Sequence, residues 1–96
     1  MLTHNKIVTA VEKASKRFPL KSARYFGSYA DGKATEASDL DLLVEFKQPF
    51  ISLLTIAGLK YALEEELRMP VDVIHAPVPD TALIQIDKTV TAYEEA

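Results

Sequence analysis

The segment Leu40–Phe46 alternates apolar and polar residues, and this pattern constrains the fold more than any other stretch of the chain. The even positions are apolar and the odd positions are mostly charged: Leu40, Leu42, Val44 and Phe46 alternate with Asp41, Leu43 and Glu45. Because successive side chains of a β-strand point to opposite faces of the sheet, the pattern predicts a strand with one buried face. That face has to be covered by other elements, which favours a sheet with helices packed on it.

Two longer segments have the spacing of amphipathic helices. Residues 3–18 place apolar side chains three and four residues apart, and Pro19 stops the predicted helix. Its core face is Ile7, Val11, Ala14 and Phe18. Pro49 begins a second predicted helix of about eighteen residues. Its core face is predicted to be Leu53, Ile56, Leu59, Leu63 and Leu67.

The second helix also carries a neighbouring apolar stripe, made of Ile51, Leu54, Gly58 and Tyr61. This stripe is either the edge of a broad core face or a surface on which a partner docks. The acidic cluster Glu64–Glu66 near the end of the same helix is predicted to be solvated.

Further strands are predicted at "SARYF" (residues 22–26) and "PVDVIHA" (70–76), with an edge strand at "TVTAY" (89–93). Asp80 is a plausible N-cap of a short helix that runs to about Lys88. The resulting order of elements predicts an α/β protein of the α+β two-layer type, in which helices pack on a small mixed sheet.

Length, charge and cysteine content limit the class of protein. We expect residues 1–96 to form a single domain, because 96 residues leave no room for a second core. The net charge of −3 argues against direct nucleic-acid binding. The chain contains no cysteine, so a bound metal would need oxygen or imidazole ligands. It also lacks a long apolar run and a signal-peptide core, and we therefore expect a cytoplasmic protein.

Asp39 and Asp41 lie two residues apart at the start of the alternating strand, so both side chains leave the same face. Two close carboxylates repel each other unless a cation binds between them, and Mg²⁺ prefers such oxygen ligands. The alternative is a solvated strand entry in which Ser38 and Asp39 are turn residues. For Asp39 and Asp41 alone, that alternative is the commoner explanation.

Gly27 and Ser28 follow the first predicted strand, where a glycine and the N–H groups of a helical turn can accept a phosphate. The segment "GSYADGKA" (residues 27–34) is not a P-loop, because Ala34 replaces the required Ser or Thr. Asp72 adds a third acid in an otherwise apolar strand. Taken alone, Asp72 could equally be a charge at a strand edge. If the strands lie side by side, three carboxylates converge, which is enough to hold two metals or to add a base that activates an attacking hydroxyl, as in phosphoryl or nucleotidyl transfer. His75 is predicted to be a surface residue.

The segment "FGSYADGKATEASDLDLLVEF", residues 26–46, resembles the signature of the DNA polymerase β-like nucleotidyltransferase superfamily: Gly-Ser, ten residues, then Asp-Leu-Asp. The short chain resembles the minimal nucleotidyltransferase (MNT) branch, and Asp72 matches the third carboxylate. The resemblance implies a palm-like fold and transfer of a nucleoside monophosphate from ATP to a hydroxyl, with release of pyrophosphate. It also implies Mg²⁺, as two ions, held by Asp39, Asp41 and Asp72.

In this branch the enzyme is commonly the antitoxin of a toxin–antitoxin pair, and it AMPylates a tyrosine of a helical HEPN ribonuclease. The resemblance implies that Gly27 and Ser28 hold the triphosphate and that Asp72 assists the attacking hydroxyl. Asp31 stands where many members have arginine, and Lys33 is the residue that we expect to compensate.

Two alternatives stay open from the sequence. One is a non-catalytic antitoxin that masks its partner sterically, and the other is a small-molecule nucleotidyltransferase of the aminoglycoside type. A homodimer is an additional assembly that the sequence leaves open.

Overall fold

The computed structural model describes residues 2–75 and 88–95. In chain order the elements are α1 (His4–Ser15), β1 (Leu20–Phe26), α2 (Ser28–Asp31), β2 (Leu40–Phe46), α3 (Leu53–Leu67), β3 (Val71–His75) and β4 (Val90–Glu94). The structure confirms the two predicted long helices, α1 and α3, and the four predicted strands, including the edge strand β4. The short helix predicted from Asp80 lies outside the described residues.

The four strands form one mixed sheet in the order β3-β2-β1-β4. β1 pairs antiparallel with β2 and with β4, whereas β2 and β3 are parallel. The predicted α/β class with a small mixed sheet is therefore confirmed. In this order β2 is a central strand, and β3 is the edge strand on the side away from β1.

The hydrophobic core lies between one face of the sheet and the helices α1 and α3. The even positions of β2 are all buried, at 0% to 4% exposure: Leu40, Leu42, Val44 and Phe46. Buried side chains of both long helices belong to the same cluster, among them Ile7, Val11, Leu59 and Leu63. Because this face of the sheet is packed, the odd positions of β2 project from the opposite face.

Helix α1 begins at a side-chain cap and ends before a proline. The hydroxyl of Thr3 accepts a hydrogen bond from the N–H of Lys6 at 3.2 Å, which satisfies one of the first amide groups of the helix. The helix ends at Ser15, earlier than predicted, and Phe18 is half-buried beyond it. The helical conformation is disfavoured for a residue that precedes proline, so the chain leaves the helix before Pro19.

Helix α3 begins at Leu53, where the hydroxyl of Ser52 accepts a hydrogen bond from the N–H of Thr55 at 3.1 Å. The prediction that Leu53 belongs to the core is wrong, because its side chain is 82% exposed. Leu59 and Leu63 are buried, and they lie on the later turns of the helix, which contact α1 and β3. The first turn has the right periodicity but extends past the layer that it would cover.

The second apolar stripe of α3 divides into two parts. Leu54 and Tyr61 are 85% and 65% exposed, so they do not belong to the core. Gly58 faces inward, because a Cβ atom built on it would lie 3.3 Å from the ring of Phe18. Ile51 is half-buried and packs against the core. The stripe is therefore neither wholly core nor wholly a free surface.

Within the part of the chain that the structure describes, no helix combines the length and the apolar character needed to cross a membrane.

Candidate active site

Asp41 and Asp72 are direct neighbours on adjacent parallel strands. Their Cα atoms are partners in the register of β2 and β3, so both side chains project from the same face of the sheet. Asp39 immediately precedes β2 on the same side of the alternation. The predicted side-by-side arrangement of the two acid-bearing strands is confirmed, and it brings the three carboxylates to one edge of the sheet.

The carboxylate of Asp41 has an unfavourable environment for its charge. Burial raises the pKa of Asp41, and the negative charges of Asp72 and Asp39 raise it further. Asp41 is half-buried, whereas Asp39 and Asp72 are exposed. The least exposed of the three carboxylates, that of Asp41, is therefore also disfavoured as an anion by both of its neighbours.

A hard divalent cation fits this set of donors. The three carboxylates supply only oxygen ligands, which Mg²⁺ prefers, and a cation would offset the repulsion around Asp41. Among residues 2–75 and 88–95, no group of three or more His, Cys, Asp or Glu side chains is already arranged around an ion position. Mg²⁺ sites typically use one or two carboxylates and take their other ligands from water and substrate phosphates.

Gly27 lies directly against Asp41 at the end of β1. Its backbone has φ 72° and ψ −146°, a conformation that residues with a side chain rarely adopt. A Cβ atom at this position would lie 2.6 Å from Oδ2 of Asp41. The absence of a side chain thus leaves the backbone and the carboxylate in contact, which places the Gly27-Ser28 segment beside the acids.

The single turn of helix α2 begins at Ser28, next to Gly27. The N–H groups of Ala30 and Asp31 donate to the carbonyl of Gly27, at 3.1 and 3.0 Å. Gly32 then ends the turn in the left-handed conformation. Between residues 32 and 46 the chain continues into a loop and then β2, which agrees with the exclusion of a P-loop.

The side chains near this turn differ in exposure. Ser28 is half-buried, and Asp31 and Lys33 are exposed. The roles predicted for Ser28 and Lys33 stay predictions.

The loop before Asp39 is closed by a reciprocal pair of hydrogen bonds. The N–H of Thr35 donates to Oγ of Ser38 at 2.8 Å, and the N–H of Ser38 donates to the carbonyl of Thr35 at 3.0 Å. Ser38 is therefore a turn residue, as one of the two explanations proposed for this segment requires. The turn ends directly before Asp39, and it leaves the Asp39 carboxylate available as a metal ligand.

A hydrogen bond that the sequence did not predict ties the N-terminus of α1 to the end of β1. Nδ1 of His4 and the hydroxyl of Tyr25 lie 2.7 Å apart, and burial raises the pKa of Tyr25. Tyr25 is two residues before Gly27, so this contact supports the strand end that carries the candidate phosphate segment. The periodicity of each element shows its buried face but not a polar contact between two of them.

The predicted solvation of the acidic cluster holds for Glu65 and Glu66, which are exposed, whereas Glu64 is half-buried. The N–H of Val71 donates to Oε2 of Glu64 at 3.0 Å, and Lys60 donates to the same oxygen at 3.1 Å. These two donors hold the pKa of Glu64 below its usual range. The run of acidic residues on the helix gave no signal for this contact, because its partner is a backbone group of another element.

His75 is half-buried, and its ring lies edge-to-face with that of Phe46, at 5.2 Å between centroids. The ring therefore contributes to packing at the far end of β3 from Val71.

A cleft of about 530 Å³ lies apart from the three aspartates, none of which lines it. It is formed by the N-terminal part of α1, the C-terminal end of α3 and Tyr29. The hydroxyl of Tyr29 is 4.0 Å from the sulfur of Met69 across this cleft. The alternation of β2 places Asp41 on the face of the sheet opposite the packed one.

Comparison with known proteins gives a family model described as "Nucleotidyltransferase domain", which matches residues 5–92. Protein adenylyltransferase MntA of Thermococcus cleftensis is 41% identical over 69 residues, which cover 71% of this chain and 69% of the relative. A Methanocaldococcus jannaschii protein, provisionally named a protein adenylyltransferase, is 51% identical over 55 residues. That match covers 57% of this chain and 58% of the relative, so the chain spans less than two thirds of that protein.

Among solved structures, a Shewanella oneidensis complex is similar in fold. It is described as a tri-AMPylated HEPN toxin in complex with an MNT antitoxin, and it matches with a TM-score of 0.71 at 18% identity. The match covers 97% of this chain and 74% of the compared chain. At this identity the likeness shows the fold alone.

Proposed function

Because this chain belongs to the nucleotidyltransferase domain family, we propose that it is an Mg²⁺-dependent protein adenylyltransferase. It transfers AMP from ATP to a tyrosine hydroxyl of a cognate HEPN toxin and so acts as the antitoxin, in the cytoplasm. The observation that carries the proposal is the in-register pair of Asp41 and Asp72, with Asp39 beside it and Gly27 in contact with Asp41.

In the proposed step, the oxygen of the acceptor hydroxyl attacks the α-phosphorus of ATP and forms a new P–O bond. The bond between the α-phosphorus and the oxygen that bridges to the β-phosphate breaks, and pyrophosphate leaves with the electron pair. Asp72 accepts the hydroxyl proton, a role that suits an exposed carboxylate at the strand edge. Asp39 and Asp41 would hold the metal, with Asp72 as a further ligand.

Mg²⁺ bound at these carboxylates would neutralise charge on the triphosphate, and the resemblance implies two such ions. Asp41 is suited to this role because its charge is unfavourable in the free protein, so binding a cation there removes a penalty. Gly27 and Ser28 are proposed to bind the phosphates, since backbone without a side chain lies against Asp41. Lys33, exposed just after α2, is proposed to add a positive charge.

The proposal of a protein acceptor comes from the relatives. One is named a protein adenylyltransferase, and the fold is shared with an antitoxin bound to an AMPylated HEPN toxin. The three acids lie outside the cleft of about 530 Å³ described above, which is compatible with an acceptor carried by another protein.

The test is a transfer assay with the purified chain, Mg²⁺ and a candidate HEPN partner protein as the acceptor. ATP labelled at the α-phosphate should label the partner, whereas ATP labelled at the γ-phosphate should not, because the γ-phosphate leaves in pyrophosphate. Label from γ-labelled ATP would indicate phosphorylation and would contradict the proposal. Tyr→Phe substitutions in the partner identify the acceptor.

Two alternatives make different predictions in the same assay. A masking antitoxin would inhibit the toxin without transferring label, and Asp31 favours it, since an anion replaces the arginine common near the triphosphate. An aminoglycoside-type enzyme would label a small hydroxyl compound without a protein acceptor.

Exposed apolar side chains on and before α3 provide a surface for the toxin, which we name the α3 patch. Its members are Phe50, Leu53, Leu54 and Tyr61, at 88%, 82%, 85% and 65% exposure. We expect Leu54→Asp to weaken toxin binding by about 1–4 kcal/mol, because a charge would be buried in the interface. Calorimetric titration with the toxin measures the change, and gel filtration of the chain alone tests self-association through the same patch.

Leu53→Asp is a sharper variant, because the sequence prediction and the structure disagree about this residue. If Leu53 belonged to the core, this substitution would unfold the protein. Because the side chain is 82% exposed, we expect the circular dichroism spectrum of the variant to match that of wild type. Glu65→Ala, at an exposed position on the same helix, is the control for binding. Wild-type affinity in both aspartate variants would place the interface elsewhere.

A further inference from the structure

Two side chains of α3 hold the first residue of β3. Nζ of Lys60 donates to the carbonyl of Val71 at 2.8 Å, and the N–H of Val71 donates to Oε2 of Glu64 at 3.0 Å. Lys60 and Glu64 are also paired with each other, at 3.1 Å. Among the strands that the structure describes, β3 lies at the edge of the sheet, and these side chains pair with the backbone groups of Val71 that point away from β2.

The peptide unit between Pro70 and Val71 is bonded on both sides. Its carbonyl accepts a hydrogen bond from the N–H of Leu40 at 3.1 Å, and its N–H donates to Glu64. Leu40 lies between Asp39 and Asp41, and Val71 immediately precedes Asp72. One peptide group thus connects the start of β2, between Asp39 and Asp41, with β3, which bears Asp72, and with helix α3.

The position of this peptide determines where Asp72 stands. In the observed register Asp72 is opposite Asp41, and a slip by one residue would turn its side chain to the packed face. β3 has five residues and, within residues 2–75 and 88–95, pairs with β2 alone, so its register depends strongly on how its first residue is held.

Glu64 differs from its two acidic neighbours on α3. Its carboxylate is half-buried and accepts from a backbone amide, whereas Glu65 is exposed and Glu66 forms an exposed ion pair with Lys13 at 2.7 Å. The hydrogen bonds from Val71 and Lys60 lower the pKa of Glu64, so it is ionised at neutral pH. A charged acceptor also binds an amide N–H more strongly than a neutral one.

We propose that Glu64, together with Lys60, is a positioning residue that fixes the Asp72 carboxylate opposite Asp41 through the first peptide of β3. The inference rests on the proposed function, in which Asp72 assists the acceptor hydroxyl. It assigns a role in the reaction to a residue that contacts neither the nucleotide nor the acceptor.

The test compares Glu64→Ala, Glu64→Gln and the control Glu65→Ala in transfer of the α-phosphate label to the partner. Glu64→Ala should lower kcat by about 10–100-fold, because a small displacement of a reacting group has an effect of this size. The KM for ATP should stay within about twofold, since the phosphate segment is untouched. Glu64→Gln keeps an oxygen that can accept from Val71 and should restore most of kcat.

Amide hydrogen exchange of the chain alone supplies a readout that does not depend on activity. In Glu64→Ala the N–H of Val71 should exchange faster, while amides in β1 keep their wild-type protection. Lys60→Met, which keeps Glu64, should give an intermediate loss of kcat. If Glu64→Ala does not fold, Lys60→Met is compared with wild type in its place.

The outcomes separate this inference from the proposed function. Active wild-type protein with an unchanged kcat in Glu64→Ala, or a loss in Glu64→Ala that Glu64→Gln does not reverse, would overturn the positioning role alone. A wild-type chain that transfers no label would overturn the proposed function and this inference with it.

Discussion

Asp41→Asn is expected to reduce AMP transfer by at least about 10²-fold, because loss of a metal ligand removes several kcal/mol of stabilisation from the transition state. Asn keeps the size of the side chain and one oxygen, so the packing around Gly27 should be unchanged. Initial rates with Mg²⁺ and α-labelled ATP measure the effect. Asp39→Asn should show a loss of the same kind, since both carboxylates are proposed ligands.

The same substitution should stabilise the metal-free fold. Burial and the charges of Asp72 and Asp39 raise the pKa of Asp41, so its ionised form is less favourable in the folded chain than in the unfolded one. Replacement by a neutral amide removes this penalty. We expect the Tm in the presence of a chelator to rise by up to about 4 °C, which corresponds to a fraction of 1 kcal/mol after allowance for solvent screening.

The pH dependence of stability follows from the direction of the shift. A carboxyl group with a raised pKa in the folded state contributes stability that is fully present below its ordinary pKa, 3.8, and is lost as the pH rises through the folded pKa. Urea unfolding of wild type and Asp41→Asn from acid to neutral pH should therefore show the variant gaining on wild type as the pH rises. Wild-type transfer rates in Asp41→Asn, or a lower Tm, would contradict this account of the site.

The strand that carries Asp41 could be predicted from sequence because its signal is local. The alternation over Leu40–Phe46 fixes both the strand and its buried face, and the observed bounds agree with the predicted ones. The pairing of β2 with β3 cannot be predicted in the same way, because it joins residues about thirty positions apart and depends on how the intervening helix packs. The register, which sets Asp72 opposite Asp41, is seen only in the structure.

One wrong prediction and one contact that the sequence did not predict have the same physical origin. The periodicity of α3 shows which side of the helix is apolar, but it does not show how far along the helix axis the neighbouring layer extends. It therefore predicts a core position for Leu53, which the structure shows to be exposed. The charge pattern of Glu64–Glu66 likewise does not show that one carboxylate faces a backbone amide of the next strand. Both depend on the relative placement of two elements, which the sequence of either element does not contain.

Gly27→Ala is the second substitution with a large expected effect, and Gly32→Ala is its matched control. Both glycines have a positive φ, 72° and 73°. A Cβ atom on Gly32 would meet nothing within 4 Å, whereas one on Gly27 would lie 2.6 Å from Oδ2 of Asp41. Both variants should lose stability through the backbone, by about 1–2 kcal/mol at Gly32 and about 1–3 kcal/mol at Gly27.

Only Gly27→Ala should also lose activity, by about 10²-fold or more, since the new methyl group displaces the Asp41 carboxylate from the proposed metal position. Gly32→Ala should retain transfer within a few-fold once both are assayed well below their Tm. A double-mutant cycle with Asp41→Ala locates the cause. If the methyl group clashes with the carboxylate, removing that carboxylate should recover part of the stability lost in Gly27→Ala, with a coupling of about 0.5–3 kcal/mol. Additive effects would mean that the backbone conformation alone requires glycine at position 27.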